Sequence, residues 1–147
     1  MEISNSIRML LAETRIAVHP DDYAIVSISR DEEAEARRLL RDLGPFSSVA
    51  LDAAEVSVVL RAEEWDRLRG RFAGYDEEGP YRLITFDIVL DLSVVGFLAA
   101  VSARLAEEGI SIYALSTFLR DHILVREEDA ERAVEALQDL IDECGRG

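Results

Sequence analysis

The stretch that decides the fold is Arg82-Leu83-Ile84-Thr85-Phe86-Asp87-Ile88-Val89-Leu90, followed by Asp91-Leu92-Ser93-Val94-Val95-Gly96-Phe97-Leu98. Leu83, Thr85, Asp87 and Val89 alternate with Ile84, Phe86, Ile88 and Leu90, the period of a strand with apolar side chains on both faces. After a turn at Asp91 to Ser93, Val94, Phe97, Leu98, Val101 and Leu105 fall on one helical stripe, with Arg104, Glu107 and Glu108 turned away. Gly109 is placed to stop that helix. Two further strands, Ile110 to Phe118 and His122 to Val125, surround a turn at Leu119 to Asp121. A last helix opens on Glu127-Glu128-Asp129, acids suited to the positive end of its dipole, and buries Ala130, Val134, Leu137, Leu140 and Ile141.

Upstream, the same order recurs with weaker signals. Tyr23 to Ile28 is a strand after the turn-forming Pro20-Asp21-Asp22, and Ser29-Arg30-Asp31-Glu32 has capping-box spacing at a helix start. Ala36, Leu39, Leu40 and Leu43 follow at helical spacing before Gly44-Pro45. Phe46 to Leu51 and Val56 to Leu60 are strands, and Ala62 to Arg69 is a short helix burying Trp65 and Leu68. Laying Gly44 over Gly109 puts Val58-Val59 on Ile123-Leu124, and Ala62-Glu63-Glu64 on Glu127-Glu128-Asp129. The expected architecture is therefore α+β, with two tandem ferredoxin-like βαββαβ units and antiparallel sheets. The expected divisions are an N-terminal extension (1–22), a first, divergent unit (23–72), a linker (73–80) and a second unit (81–143).

Composition narrows the function. The chain has 147 residues, 49% of them apolar, which is enough for one small domain or two very small units and too hydrophobic for disorder. Its net charge of −14 opposes binding to nucleic acid and to anionic membranes. The sixteen cations are all arginine, which fits the codons of a GC-rich genome or, with the acidic surplus, a salty cytoplasm. No apolar run approaches the roughly 18 residues of a membrane helix, and Met1 to Thr14 is too polar for a signal peptide, so a cytoplasmic protein is expected.

A search for catalysis finds no nucleophile elbow, no phosphate-cradling glycine loop and no metal-ligand spacing. His19 and His122 read as surface or capping residues, and the lone Cys144 has no basic residue at one-turn spacing. No enzyme, no cofactor and no metal are expected. Two segments rise above this background. In Asp91-Leu92-Ser93-Val94-Val95-Gly96 the unpaired N–H groups of a helix start can attract a carboxylate. Taken alone, the turn reads first as one in which Asp91 or Ser93 caps the helix and Gly96 packs. In the hairpin, Ser116, Thr117 and Asp121 place hydroxyls and a carboxylate at one end, where they can hold an ammonium or simply stabilise the turn.

Together these segments resemble the ACT domain, most closely the small two-ACT proteins related to Castor-type arginine sensors. The turn of that group commonly reads D-F-S-L-T-G, here Asp91 to Gly96, and its hairpin I-S-T-Y-x-T-D-Y-I-L-V, here Leu115 to Val125. The first half fits chiefly through Ala54-Glu55-Val56-Ser57-Val58-Val59, and the resemblance spans Tyr23 to Ile141. It implies a non-catalytic module that senses a small-molecule amino acid at an interface between ACT units, with Asp91, Leu92, Ser93, Val94, Val95, Gly96, Ser116, Thr117 and Asp121 as site residues. Val95 stands where threonine is usual. Arg120 replaces a small polar residue and is expected to pair with Asp121, which disfavours an arginine or lysine ligand. The competing reading is a structural oligomerisation module without a ligand. Strands apolar on both faces further suggest a homodimer or larger even assembly, strengthened by salt.

Overall fold

The computed structural model describes residues 2–147 and divides the chain into two compact units. One unit is continuous, Asp21–Tyr81; the other joins the residues up to Pro20 to Arg82–Gly147. The elements in chain order are α1 (Asn5–Glu13), β1 (Arg15–Ile28), α2 (Glu33–Arg38), β2 (Ser48–Leu51), β3 (Val56–Arg61), α3 (Ala62–Leu68), β4 (Tyr75–Asp87), α4 (Phe97–Glu107), β5 (Tyr113–Ser116), β6 (Asp121–Arg126) and α5 (Ala130–Arg146). The fold is α+β, and the registered pairs β1–β3, β2–β3 and β5–β6 are antiparallel.

Within the discontinuous unit the strand order is β5-β6-β4-β1, where β1 contributes its first residues. Ile84, Phe86, Ile123 and Val125 pack against Phe97, Val101 and Leu105 of α4, Leu137 and Leu140 of α5, and Ile7 and Leu11 of α1. Phe86 and Phe97 meet edge to face, with centroids 5.8 Å apart. Alternation sends Leu83, Thr85, His122 and Leu124 to the opposite face, and these are buried too. Helix α4 ends as its glycine requires. Gly109 takes φ 70°, its N–H reaches Ala106 O at 3.0 Å, and the Ile110 N–H reaches Leu105 O at 3.0 Å.

The continuous unit runs β-α-β-β-α-β with strand order β2-β3-β1-β4. Trp65 of α3 is fully buried against Val26, Ile28, Val58, Leu60 and Phe72, with Tyr75 edge-on at 4.9 Å. Its other helical segment is broken into turns at Arg30–Glu32 and Leu39–Arg41 around α2, so Ala36 and Leu39 are buried while Leu40 is exposed. Gly44, which follows this segment, keeps a negative φ, and its N–H donates to Glu64 Oε2 at 3.0 Å.

Several expectations are corrected. The units are not consecutive: Asp21–Tyr81 interrupts the other unit, and β1 and β4 each pass from one into the other. Residues 1–22 are not an extension, because α1 and the start of β1 belong to the discontinuous unit; the Pro20-Asp21-Asp22 turn is strand. Residues 73–80 are not a linker, because β4 already begins at Tyr75; its first residues are solvated and lack the apolar alternation that marks a half-buried strand. The same strand stops at Asp87 rather than Leu90. There the Ile88 N–H turns back to Phe86 O at 2.9 Å, ending the ladder.

Candidate functional site

Between β4 and α4 the chain makes a compact turn. Asp91 Oδ1 accepts from the Ser93 N–H at 2.8 Å and from the Ser93 hydroxyl at 2.6 Å, while the Val94 N–H donates to Asp91 O at 3.0 Å. These bonds, the Ser93 hydroxyl first, hold the Asp91 carboxyl below its usual range. Asp91 therefore stabilises the turn and is not the helix cap. That place is taken by Gly96, whose φ of 101° lies in the left-handed region and delays the helix from Val94 to Phe97. Glycine has no side chain to cap with, so among the described residues the first-turn N–H groups of Phe97, Leu98 and Ala99 have no capping side chain.

The hairpin supplies the other wall. Ser116 faces Asp121 across the β5–β6 pair, and its hydroxyl donates to Asp121 Oδ1 at 2.6 Å. The Thr117 N–H closes the turn onto Arg120 O at 2.9 Å, leaving Phe118 and Leu119 at the tip. One main-chain bond ties the two walls together: the Leu90 N–H donates to Leu119 O at 2.8 Å.

Turn and hairpin enclose a cleft of about 270 Å³. Of the residues singled out in the sequence, Asp91, Leu92, Val94, Gly96, Ser116, Thr117 and Asp121 line it, joined by Leu90, Phe97, Leu98, Ala99, Phe118 and Arg120. Two do not. Ser93 is occupied in holding Asp91. Val95, 86% exposed, turns to a separate depression beside Ile3, Ile7 and Ala100. Arg120 is not engaged with Asp121; its Nε–H donates to Asp87 Oδ1 at 3.1 Å. Asp87 ends β4 and lies far back in sequence, so nothing near Arg120 announces this partner.

Behind the hairpin lies a polar chain that sequence reading missed. His122 is only 7% exposed, not a surface residue. Its Nε2 is 3.0 Å from Thr117 Oγ1, its Nδ1 is 2.9 Å from Thr85 Oγ1, and Thr85 Oγ1 is 2.9 Å from His19 Nε2. Thr117 Oγ1 also donates to Arg120 O at 3.2 Å, which orients the chain. With its proton on that carbonyl, Thr117 accepts from His122 Nε2–H, Thr85 donates to His122 Nδ1, and His19 Nε2–H donates to Thr85. The tautomers are thus assigned from the network. Burial, and then the neighbouring His19, hold the His122 pKa below its ordinary value.

This arrangement is poor for acyl transfer. The Thr117 proton is directed away from His122, and the group behind the imidazole is a hydroxyl, which stabilises an imidazolium far less than a carboxylate does. Among the described residues no group of three His, Cys, Asp or Glu is placed to hold a metal ion, and no helix is long and apolar enough to cross a membrane. What the cleft offers is recognition: orphan helix N–H groups and an arginine for an anion, a carboxylate for a cation, and apolar walls.

A family model for the ACT domain matches residues 78–139, which contain the whole cleft. No curated protein sequence matches the chain. Among solved structures, a protein of unknown function from Vibrio cholerae, a possible transport protein, is 26% identical with a TM-score of 0.71, covering 92% of this chain and 96% of that one. The regulatory subunit of aspartate kinase from Thermus flavus is 13% identical with a TM-score of 0.61, covering 85% of this chain and 95% of that one. The aspartate kinase of Clostridium acetobutylicum, an allosteric enzyme, is 13% identical with a TM-score of 0.65 over 86% of this chain and 34% of the kinase. The chain is thus similar to the ACT domain over residues 78–139 and shares the fold of aspartate kinase regulatory subunits over most of its length.

Proposed function

We propose that this protein is a non-catalytic regulatory module that binds a small amino acid in the cleft between the β4–α4 turn and the β5–β6 hairpin. One observation carries the reading: the uncapped first turn of α4 and the Asp121 carboxylate line the same cleft. The helix start suits an α-carboxylate, with Arg120 as a second donor, and Asp121 suits an ammonium group. Leu92 and Val94 serve as walls in this scheme, Ser116 and Thr117 as hydrogen-bonding groups beside Asp121. Ser93 acts through Asp91, and Val95 stands outside the binding surface. The ACT-domain match and the likeness to regulatory subunits support the same reading.

The continuous unit, with its matching β-α-β-β-α-β order, is assigned the same ACT-type plan, and cytoplasmic residence belongs to the proposal. A second reading, assembly without a ligand, is favoured by Val95 and Phe118, which expose 86% and 75% of their surface. Homodimerisation through such residues is compatible with binding. The test is a thermal-shift screen of the protein against the amino acids. A ligand at ~100 times its Kd adds about 2.7 kcal/mol of stability, enough for a shift of several degrees in a chain this small. A shift with at least one amino acid is expected; none at millimolar concentration favours pure assembly.

A further inference from the structure

The geometry points to an α-amino acid with an uncharged, apolar side chain as the ligand, an inference that rests on the proposed binding function and narrows it. The charges come first. Arg120 and Asp121 are adjacent in sequence, opposite in sign, and both line the cleft. Arg120 uses Nε–H on Asp87, and among the described residues its terminal N–H groups have no acceptor. Asp121 receives the Ser116 hydroxyl on Oδ1 and keeps Oδ2. One donor fork and one carboxylate match the carboxylate and ammonium of a zwitterion.

A third charge on the ligand is poorly matched. A lysine or arginine side chain would share a small cleft with the Arg120 guanidinium. The other carboxylate lining the cleft is Asp91, exposed to water and already holding the turn. An aspartate or glutamate side chain would face Asp91 and Asp121, and Arg120 is already paired with Asp87 through its Nε–H.

Beside the hydroxyls of Ser116 and Thr117, the wall carries the hydrocarbon side chains of Leu90, Leu92, Val94, Leu98 and Phe118. Leu92 on the turn and Phe118 on the hairpin are 72% and 75% exposed, although residues this large and apolar ordinarily sit inside. An apolar ligand side chain between them removes apolar surface from water on three partners at once. A charged one would be desolvated there without a partner.

The experiment is calorimetry of the full chain with leucine, isoleucine, valine, methionine and phenylalanine against lysine, arginine, aspartate and glutamate. At least one apolar amino acid is expected to bind about tenfold or more tightly than any charged one. Phe118→Ser, a substitution at an exposed position, is expected to weaken the apolar ligand about tenfold while leaving thermal unfolding of the free protein unchanged. If a charged amino acid binds tightest, or if Phe118→Ser leaves the affinity unaltered, the inference falls and the binding function stands. If no amino acid binds at all, both fall together.

Discussion

Gly96 is where backbone geometry and binding can be separated. Its φ of 101° and ψ of −2° lie outside the conformations that side-chain-bearing residues readily adopt. A Cβ built there meets only Ile7 Cγ1, at 3.6 Å, an ordinary contact. Substitution therefore costs backbone strain and no steric clash. Forcing an L-residue into the left-handed region costs about 1–2 kcal/mol. That is tolerable against the ~5–15 kcal/mol of a typical domain, so Gly96→Ala folds with a lower urea midpoint and an unchanged m value. Gly96→Asp suffers the same strain and recovers part of it, because a carboxylate beside the first turn of α4 interacts favourably with the helix dipole by about 0.3–1 kcal/mol. Binding ranks the variants in the opposite order. Alanine's methyl faces Ile7 of α1 and disturbs the cleft only through backbone strain, whereas aspartate brings a negative charge to the helix N–H groups that the ligand carboxylate would use. Urea titration should rank stability as wild type, then Asp, then Ala; calorimetry should rank affinity as wild type, then Ala, with Asp without detectable binding. Wild-type affinity in Gly96→Asp refutes the placement of the carboxylate, and wild-type stability in both variants refutes the strain argument.

Asp121→Asn should weaken any amino-acid ligand on the order of tenfold, since a charged hydrogen bond to the ammonium becomes a neutral one; equal affinities in calorimetry would leave Asp121 a turn residue only. Because burial and His19 lower the His122 pKa in the folded state, the unfolded chain takes up the proton first as pH falls. Stability contributed by neutral His122 is thus complete above about pH 6.5 and is lost below it, so urea midpoints should drop between pH 7 and pH 5 and drop less in His122→Gln. Ile7→Ala, on the buried face of α1, should cost about 2–4 kcal/mol, while Met9→Ala, 68% exposed on the same helix, should stay within roughly 0.5; comparable losses would mean α1 is not packed as described.

What the sequence disclosed follows from which interactions are local. The stripe of α4, its Gly109 stop and the β5–β6 hairpin are short-range patterns and are found in place, although β5 is confined to Tyr113–Ser116 instead of running from Ile110 to Phe118. Gly96 was recognised as special, but its left-handed φ, and hence the late start of α4, is a matter of conformation that residue type alone permits without specifying. The N-terminal segment hid because α1 buries only Ile7 and Leu11, and because β1 runs through Pro20 and two aspartates that signal a turn in isolation. The polar first half of β4 hid for the same reason: Asp76, Glu77 and Glu78 are solvated, so no alternation marks it. The remaining surprises are all long-range pairings. His122 is satisfied by Thr85, itself bonded to His19, and Arg120 by Asp87, and no spacing rule connects residues so far apart in the chain.

The central claim is that the β4–α4 turn and the β5–β6 hairpin together hold one amino acid. Amide chemical-shift mapping during titration with the amino acids tests it directly, because each wall reports separately. The expected result is saturable shifts in Leu98 and Ala99 on one side and in Thr117 and Asp121 on the other, following a single binding curve. Shifts confined to residues outside these two segments, or no shift with any amino acid at millimolar concentration, would contradict it.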